Sequence, residues 1–235
     1  IDGYRCDVAA LDPLDFWERA REELKRLKPE AILLAESHEP AHNARAFDLT
    51  YEEGLPYVLA EVLRKGESAM RVREHLEAQH LEFPRGALRL RYIENHDHPR
   101  AMELIGRNGW HAAVTLFMTL DGVPLIQNGQ EIGAVQRPDI FEPFKIDWDE
   151  KDPAVYQLYR ELCRARAALP GLRRGTLEFL EVSERDKCVA FLRRQDGSRI
   201  LVLANLSSEV LDVAVSLPPQ VSGLKAGEVY MLRDV

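Results

Sequence analysis

Three acidic residues end strand-like runs of this 235-residue chain, and their type suits proton transfer or nucleophilic attack. The densest stretch is Arg91-Tyr92-Ile93-Glu94-Asn95-His96-Asp97-His98-Pro99-Arg100, where the run Leu88 to Ile93 stops in two acids, an amide and two histidines. Polar groups packed that closely at a strand end cost solvation unless they bind or react with something. Upstream, Arg5 and Asp7 close one β-like segment and Glu36 closes another. Gly3, Arg5 and Asp7 are spaced by two and share one strand face, so Arg5 is placed to keep Asp7 ionised. Glu36 ends an apolar strand near two other carboxylates, and desolvation with like charge suits it to donate a proton. An acid that protonates a leaving oxygen beside a carboxylate that attacks is the pair that glycoside cleavage requires.

The elements that would carry these residues recur at a regular interval. Asp7 and Glu36 are 29 positions apart, about one βαβ unit, and Glu36 and Asp97 are 61 apart, about two. Asp97 and Ile126, the end of the run Val123 to Ile126, are again 29 apart. Ile1 to Val8 reads as a strand, and Asp12 as the cap of a helix with Pro13 at its first position. On that helix Trp17, Ala20, Leu24 and Leu27 form one apolar stripe, and Pro29 stops it. Ala31 to Ala35 is continuously apolar, as a parallel strand buried on both faces would be. Ala46 to Leu49 reads as a short strand, 56–65 and 68–79 as helices, and Gly109 to Leu120 as a buried helix. Asp152-Pro153 opens another helix with Val155, Leu158, Leu162, Ala165 and Leu169 inward. The sum is an α/β chain with a parallel sheet.

At Pro170-Gly171 the texture changes. Residues 177–182, 188–194, 199–206, 210–217 and 228–232 read as short strands, with Asp196-Gly197 as a hairpin turn. The spacing predicts two domains, 1–170 and an antiparallel β-sandwich over 171–235.

Composition narrows the function classes. A net charge of −8 argues against nucleic acid, because phosphate binding needs clustered Lys and Arg. The basic clusters at 21–28, 164–166 and 173–174 alternate with acids or sit on linkers and read as solvated faces. No apolar run approaches the ~20 residues of a membrane span. The cysteines, Cys6, Cys163 and Cys188, have no paired spacing, which favours a reducing, cytoplasmic compartment and makes Cys6 a small buried hydrophobe rather than a nucleophile. His38, His42 and His98 lack tight ligand spacing, so no metal site is assigned. Trp17 and Trp110 read as core, while Tyr92 and Trp148 could stack on a sugar ring.

These motifs carry a family resemblance. Asp2-Gly3-Tyr4-Arg5-Cys6-Asp7-Val8-Ala9 resembles the fourth-strand motif of the α-amylase family, glycoside hydrolase family 13. Leu34-Ala35-Glu36-Ser37 is similar to its fifth-strand motif and Glu94-Asn95-His96-Asp97 to its seventh. Residues 46–51 resemble the sixth-strand region, and 122–133 the eighth strand and its loop. The resemblance implies a partial (β/α)8 TIM barrel, strands four to eight, followed by a small antiparallel all-β domain. It implies Asp7 as nucleophile, Glu36 as general acid/base, Asp97 as transition-state stabiliser, and Arg5 and His96 as substrate-binding residues. The implied activity is that of a retaining glycoside hydrolase on α-glucosidic bonds. A transglycosylase or trehalose-synthase-type isomerase, and a non-catalytic carbohydrate-binding relative, are the alternatives. Ala10-Leu11 stand where many members carry a Lys-His pair touching sugar and calcium, so calcium is expected only in a full-length protein. A chain beginning inside a strand reads as a fragment, expected to be inactive alone.

Overall fold

The structure, a computed structural model, describes residues 1–139 and 141–225. In chain order its elements are β1 (Gly3–Cys6), α1 (Leu14–Leu27), β2 (Ile32–Ala35), α2 (Pro40–Arg45), β3 (Leu49–Tyr51), α3 (Leu55–Lys65), α4 (Met70–Glu82) and β4 (Leu88–Arg91). There follow α5 (Ala101–Leu104), α6 (Trp110–Thr119), β5 (Val123–Pro124), α7 (Pro153–Ala168), α8 (Pro170–Arg174), β6 (Thr176–Leu180), β7 (Cys188–Gln195), β8 (Ser198–Asn205) and α9 (Pro219–Ser222). Strands β1 to β5 form one sheet in sequence order, every neighbouring pair parallel. This is the expected β/α pattern, and β6–β7–β8 form a separate antiparallel sheet.

Register fixes which residues share a face. Arg5 lies beside Leu34, Leu34 beside Leu49, and Leu90 beside Val123. One face therefore carries Arg5, Leu34, Leu49, Tyr51, Leu90 and Tyr92, and the last four form a buried cluster. Gly3 is required at the β1–β2 contact, because a Cβ there would lie 2.1 Å from the Ile32 carbonyl oxygen. The opposite face of β2 sends Leu33 and Ala35 into a cluster with Ala9, Ala46 and Phe47, covered by Trp17 and Leu24 of α1.

Several expectations are corrected. Pro13, not Asp12, precedes α1, and no side chain caps that helix. Leu27 is exposed, so the apolar stripe ends at Leu24. The strand expected at 46–49 lies at Leu49–Tyr51, since Ala46 and Phe47 fill the core behind the sheet. Strand β2 is not buried on both faces. Ile32 is 56% exposed, and Leu88 and Val123, on the same face, are 43% and 38% exposed.

Among the described residues the antiparallel sheet has three strands. The 210–217 segment makes one bridge, Val182 to Val215, and the strand expected at 228–232 lies outside the described residues. The Asp196-Gly197 hairpin is present with both residues at positive φ, 48° and 84°. This sheet does not stand apart. Val189, Phe191, Val202 and Ala204 share one core with Leu116 and Phe117 of α6 and with Val155 and Tyr159 of α7. The side chain of Asp152 accepts from the backbone N–H groups of Ala154 and Val155, capping α7 as expected.

Arg166 is no solvated charge. It donates to the carbonyls of Met118, Leu120 and Gly122, closing the C-terminal turn of α6. No helix among the described residues is long and apolar enough to cross a membrane.

Candidate active site

The parallel register brings Asp7 and Glu36 level just beyond β1 and β2, since Cys6 pairs with Ala35 and the Glu36 N–H donates to the Cys6 carbonyl at 2.9 Å. Arg5 reaches both acids. Its Nη1 donates to Asp7 Oδ1, and its Nη2 to Glu36 Oε1 at 2.5 Å. The sequence pattern pairs Arg5 with Asp7 only; the second contact needs the sheet register, which pattern alone does not supply. Burial opposes the charge on Arg5, but Tyr51, Asp7 and Glu36 outweigh it and hold the guanidinium pKa above its usual value.

Glu36 Oε2 accepts a 2.7 Å hydrogen bond from the Val8 N–H. That N–H is aimed by an unusual backbone: Val8 has φ 40° and ψ 46°, left-handed for a β-branched residue. Glu36 thus carries a donor on each oxygen. Asp7 is largely exposed, with 74% of its side chain open, and Glu36 much less so at 18%.

From the β4 end, Asn95 Oδ1 accepts the backbone N–H groups of Asp97 and His98 at 2.9 and 3.0 Å, turning the chain so that Asp97 faces outward. His96 Nε2 stands 3.2 Å from Asp97 Oδ2. Glu36, His96 and Asp97 each place one ligand-type atom within 4.8 Å of the others. The sequence assigns no metal here, yet this trio is, among the described residues, a set that could hold a cation. Ala10 and Leu11 offer no side-chain ligand, so that stretch does not fit calcium.

The remaining candidates separate cleanly. Tyr92 is fully buried, which overturns its role as a sugar platform; its ring packs at 5.5 Å from His98 and 5.8 Å from Tyr51. Burial also pushes its phenol pKa upward. Trp148 is half exposed in a cleft with Gln127, Asn128 and Phe144, where stacking is open to it. Trp110 is core, and half-buried Trp17 donates to the Ala9 carbonyl. His42 is buried against Ser37 Oγ at 2.7 Å, and His38 sits 3.5 Å from Glu53. Burial raises the Cys6 thiol pKa, which suits packing rather than attack.

Two features escape the sequence pattern. A buried ion pair, Glu94 with Arg100, spans the β4 loop at 2.7 Å. Arg137, from the segment after β5, donates to the Asp97 carbonyl at 2.5 Å.

Comparison with known proteins points the same way. A family model for the alpha amylase catalytic domain matches residues 1–168. The chain is 28% identical to the alpha-amylase MalA of Haloarcula japonica across 97% of its own length, and 29% identical to neopullulanase 2 of Thermoactinomyces vulgaris across 93%. It spans only 35% and 39% of those two relatives. A maltogenic alpha-amylase, AmyB from Thermotoga neapolitana, superposes with a TM-score of 0.83 at 31% identity, over 92% of this chain and 51% of that one.

Proposed function

The chain belongs to the α-amylase family, and on that premise we propose that its protein is a retaining glycoside hydrolase of α-glucosidic bonds in starch-like or malto-oligosaccharide substrates. Asp7 attacks the anomeric carbon and forms a covalent glycosyl-enzyme. Glu36 protonates the departing oxygen and later takes a proton from water. Asp97 steadies the positive charge that develops on the ring, and Arg5 and His96 hold substrate and carboxylates in place.

One observation carries this reading most: a single guanidinium, Arg5, grips both Asp7 and Glu36. Gathering both carboxyls on one guanidinium supports a retaining mechanism, in which the two would stand ~5–5.5 Å apart. The names of the relatives, alpha-amylase and neopullulanase, agree in substrate class. The chain spans well under two thirds of either, so catalysis belongs to the whole protein. The isolated 235 residues are therefore expected to turn over little substrate.

The test is a leaving-group comparison in the protein bearing this chain. Glu36→Gln should slow malto-oligosaccharide hydrolysis by about 10²–10⁴-fold. An aryl maltoside with a good leaving group should still react once and load a glycosyl adduct on Asp7, visible by peptide mass. Equal loss on both substrates with no adduct would refute the assignment. Longer oligosaccharides among the products of maltotriose would mark transfer rather than hydrolysis.

A further inference from the structure

Glu94 and Arg100 are each 1% exposed and flank the segment that carries His96 and Asp97. Arg100 Nη1 donates to Glu94 Oε1 at 2.7 Å, and the Ala101 N–H donates to Glu94 Oε2 at 2.5 Å. The loop between them is thus closed on itself. Arg100 also crosses to the next loop, with Nη1 donating to the Asn128 carbonyl at 3.0 Å and Nε to the Gln136 carbonyl at 2.9 Å. Arg137, adjacent to Gln136, returns to the Asp97 carbonyl. The circuit runs from Glu94 through Arg100 and Gln136 to Arg137 and back to Asp97. Neither charged side chain reaches the open site, so neither touches a sugar there.

A buried ion pair of this kind is poor value for stability. Replacing one with apolar side chains of similar volume is often neutral or stabilising. Its place beside a half-exposed functional carboxylate calls for another role. We propose that the Glu94–Arg100 pair is a positioning couple, which fixes where the Asp97 carboxylate stands relative to Glu36 and His96. This rests on Asp97 acting in the proposed reaction. A carboxylate displaced by ~1 Å can cost about 10²-fold in rate while ordinary substrate contacts persist.

The experiment uses the double variant Glu94→Met/Arg100→Met, which removes both charges together and so leaves neither buried alone. The expected result in the protein bearing this chain is a fall in kcat of about 10–100-fold with KM within about twofold, whatever Tm is lost with the Asn128, Gln136 and Ala101 contacts. Arg193→Met removes an equally buried arginine that serves only the Thr119 and Gly175 carbonyls, and it should lower Tm while kcat holds. A second readout needs no turnover. In the 235-residue chain the His96 and His98 ring signals in NMR should move in the double variant and stay in Arg193→Met. Unchanged kcat, or ring signals unmoved, would overturn the couple's role. If Asp97→Asn itself leaves turnover intact, the function reading fails instead, which separates the two.

Discussion

The same sheet carries two clusters of charge that differ in one respect, access to water. Behind β3 and β4, Glu52, Arg91 and Asp121 form a seam in which Glu52 and Arg91 are buried and Asp121 stands at the edge. Glu52 Oε1 accepts from His75 or Gln79 and from the Gly54 and Leu55 N–H groups at the start of α3. Arg91 bonds Gln79 Oε1 and the Asp121 carbonyl, and pairs with Asp121 Oδ1 at 3.2 Å. Past the strand ends, Arg5, Asp7, Glu36, His96 and Asp97 use the same residue types, but Asp7, His96 and Asp97 are open to solvent while Arg5 and Glu36 are partly covered. The seam holds its charges away from ligands, with Glu52 Oε1 hydrogen-bonded and Oε2 3.8 Å from Arg91. The open cluster leaves oxygens available. Charge type alone does not mark a site; charge with access does.

Breaking the seam should cost most. Arg91→Met leaves Glu52 buried without its cation and Asp121 with His80 alone, and should lower stability by about 3–5 kcal/mol in urea unfolding.

Acid should expose the seam next. Burial works to raise the Glu52 pKa, but His75, Arg91 and Gln79 outweigh it and draw it from 4.5 to about 2. Asp121 is shifted the same way. A depressed folded pKa means stability that is complete above the unfolded value and lost as pH falls through the folded one. Unfolding midpoints should therefore drop between pH 4.5 and about 2, by a contribution from Glu52 of about 3 kcal/mol. Glu52→Gln should flatten that limb, and an unchanged slope would contradict the assignment.

The open cluster should respond least in stability. Asp97→Asn is expected to change the unfolding free energy by no more than ~0.5 kcal/mol, while slowing turnover by about 10²–10³-fold. A large stability loss there would make Asp97 a structural residue like Asp121.

Much of the open cluster was legible because parallel sheets collect loop residues at one end of their strands. Asp7, Glu36 and Asp97 could be placed together from spacing and the β/α period alone. The hydrogen bond from Arg5 to Glu36 could not, since it depends on register between strands. Tyr92 misled because an aromatic beside polar residues looks available, whereas strand alternation points it into the Tyr51 cluster. Ile32 misled in the opposite direction, because an apolar run reports what a strand could bury and not whether anything covers it. The strand expected at 210–217 reduces to a bridge. Alternating apolar residues give no partner length, and only Val215 finds a neighbour in pairing geometry. Arg100 was invisible in purpose, since arginine at a helix start reads as surface until its burial is known.

Val8 offers a last lesson about how such a loop is held. A branched side chain in the left-handed region carries an energetic load of order 1–3 kcal/mol, and here that load orients the one amide serving the outer oxygen of Glu36. A glycine in its place would relax the backbone and make the folded protein sturdier. It would also free the peptide to rotate and let the amide wander from the carboxylate. At this position durability and a fixed aim at Glu36 pull against each other, and the chain has a valine where a glycine would be easier to fold.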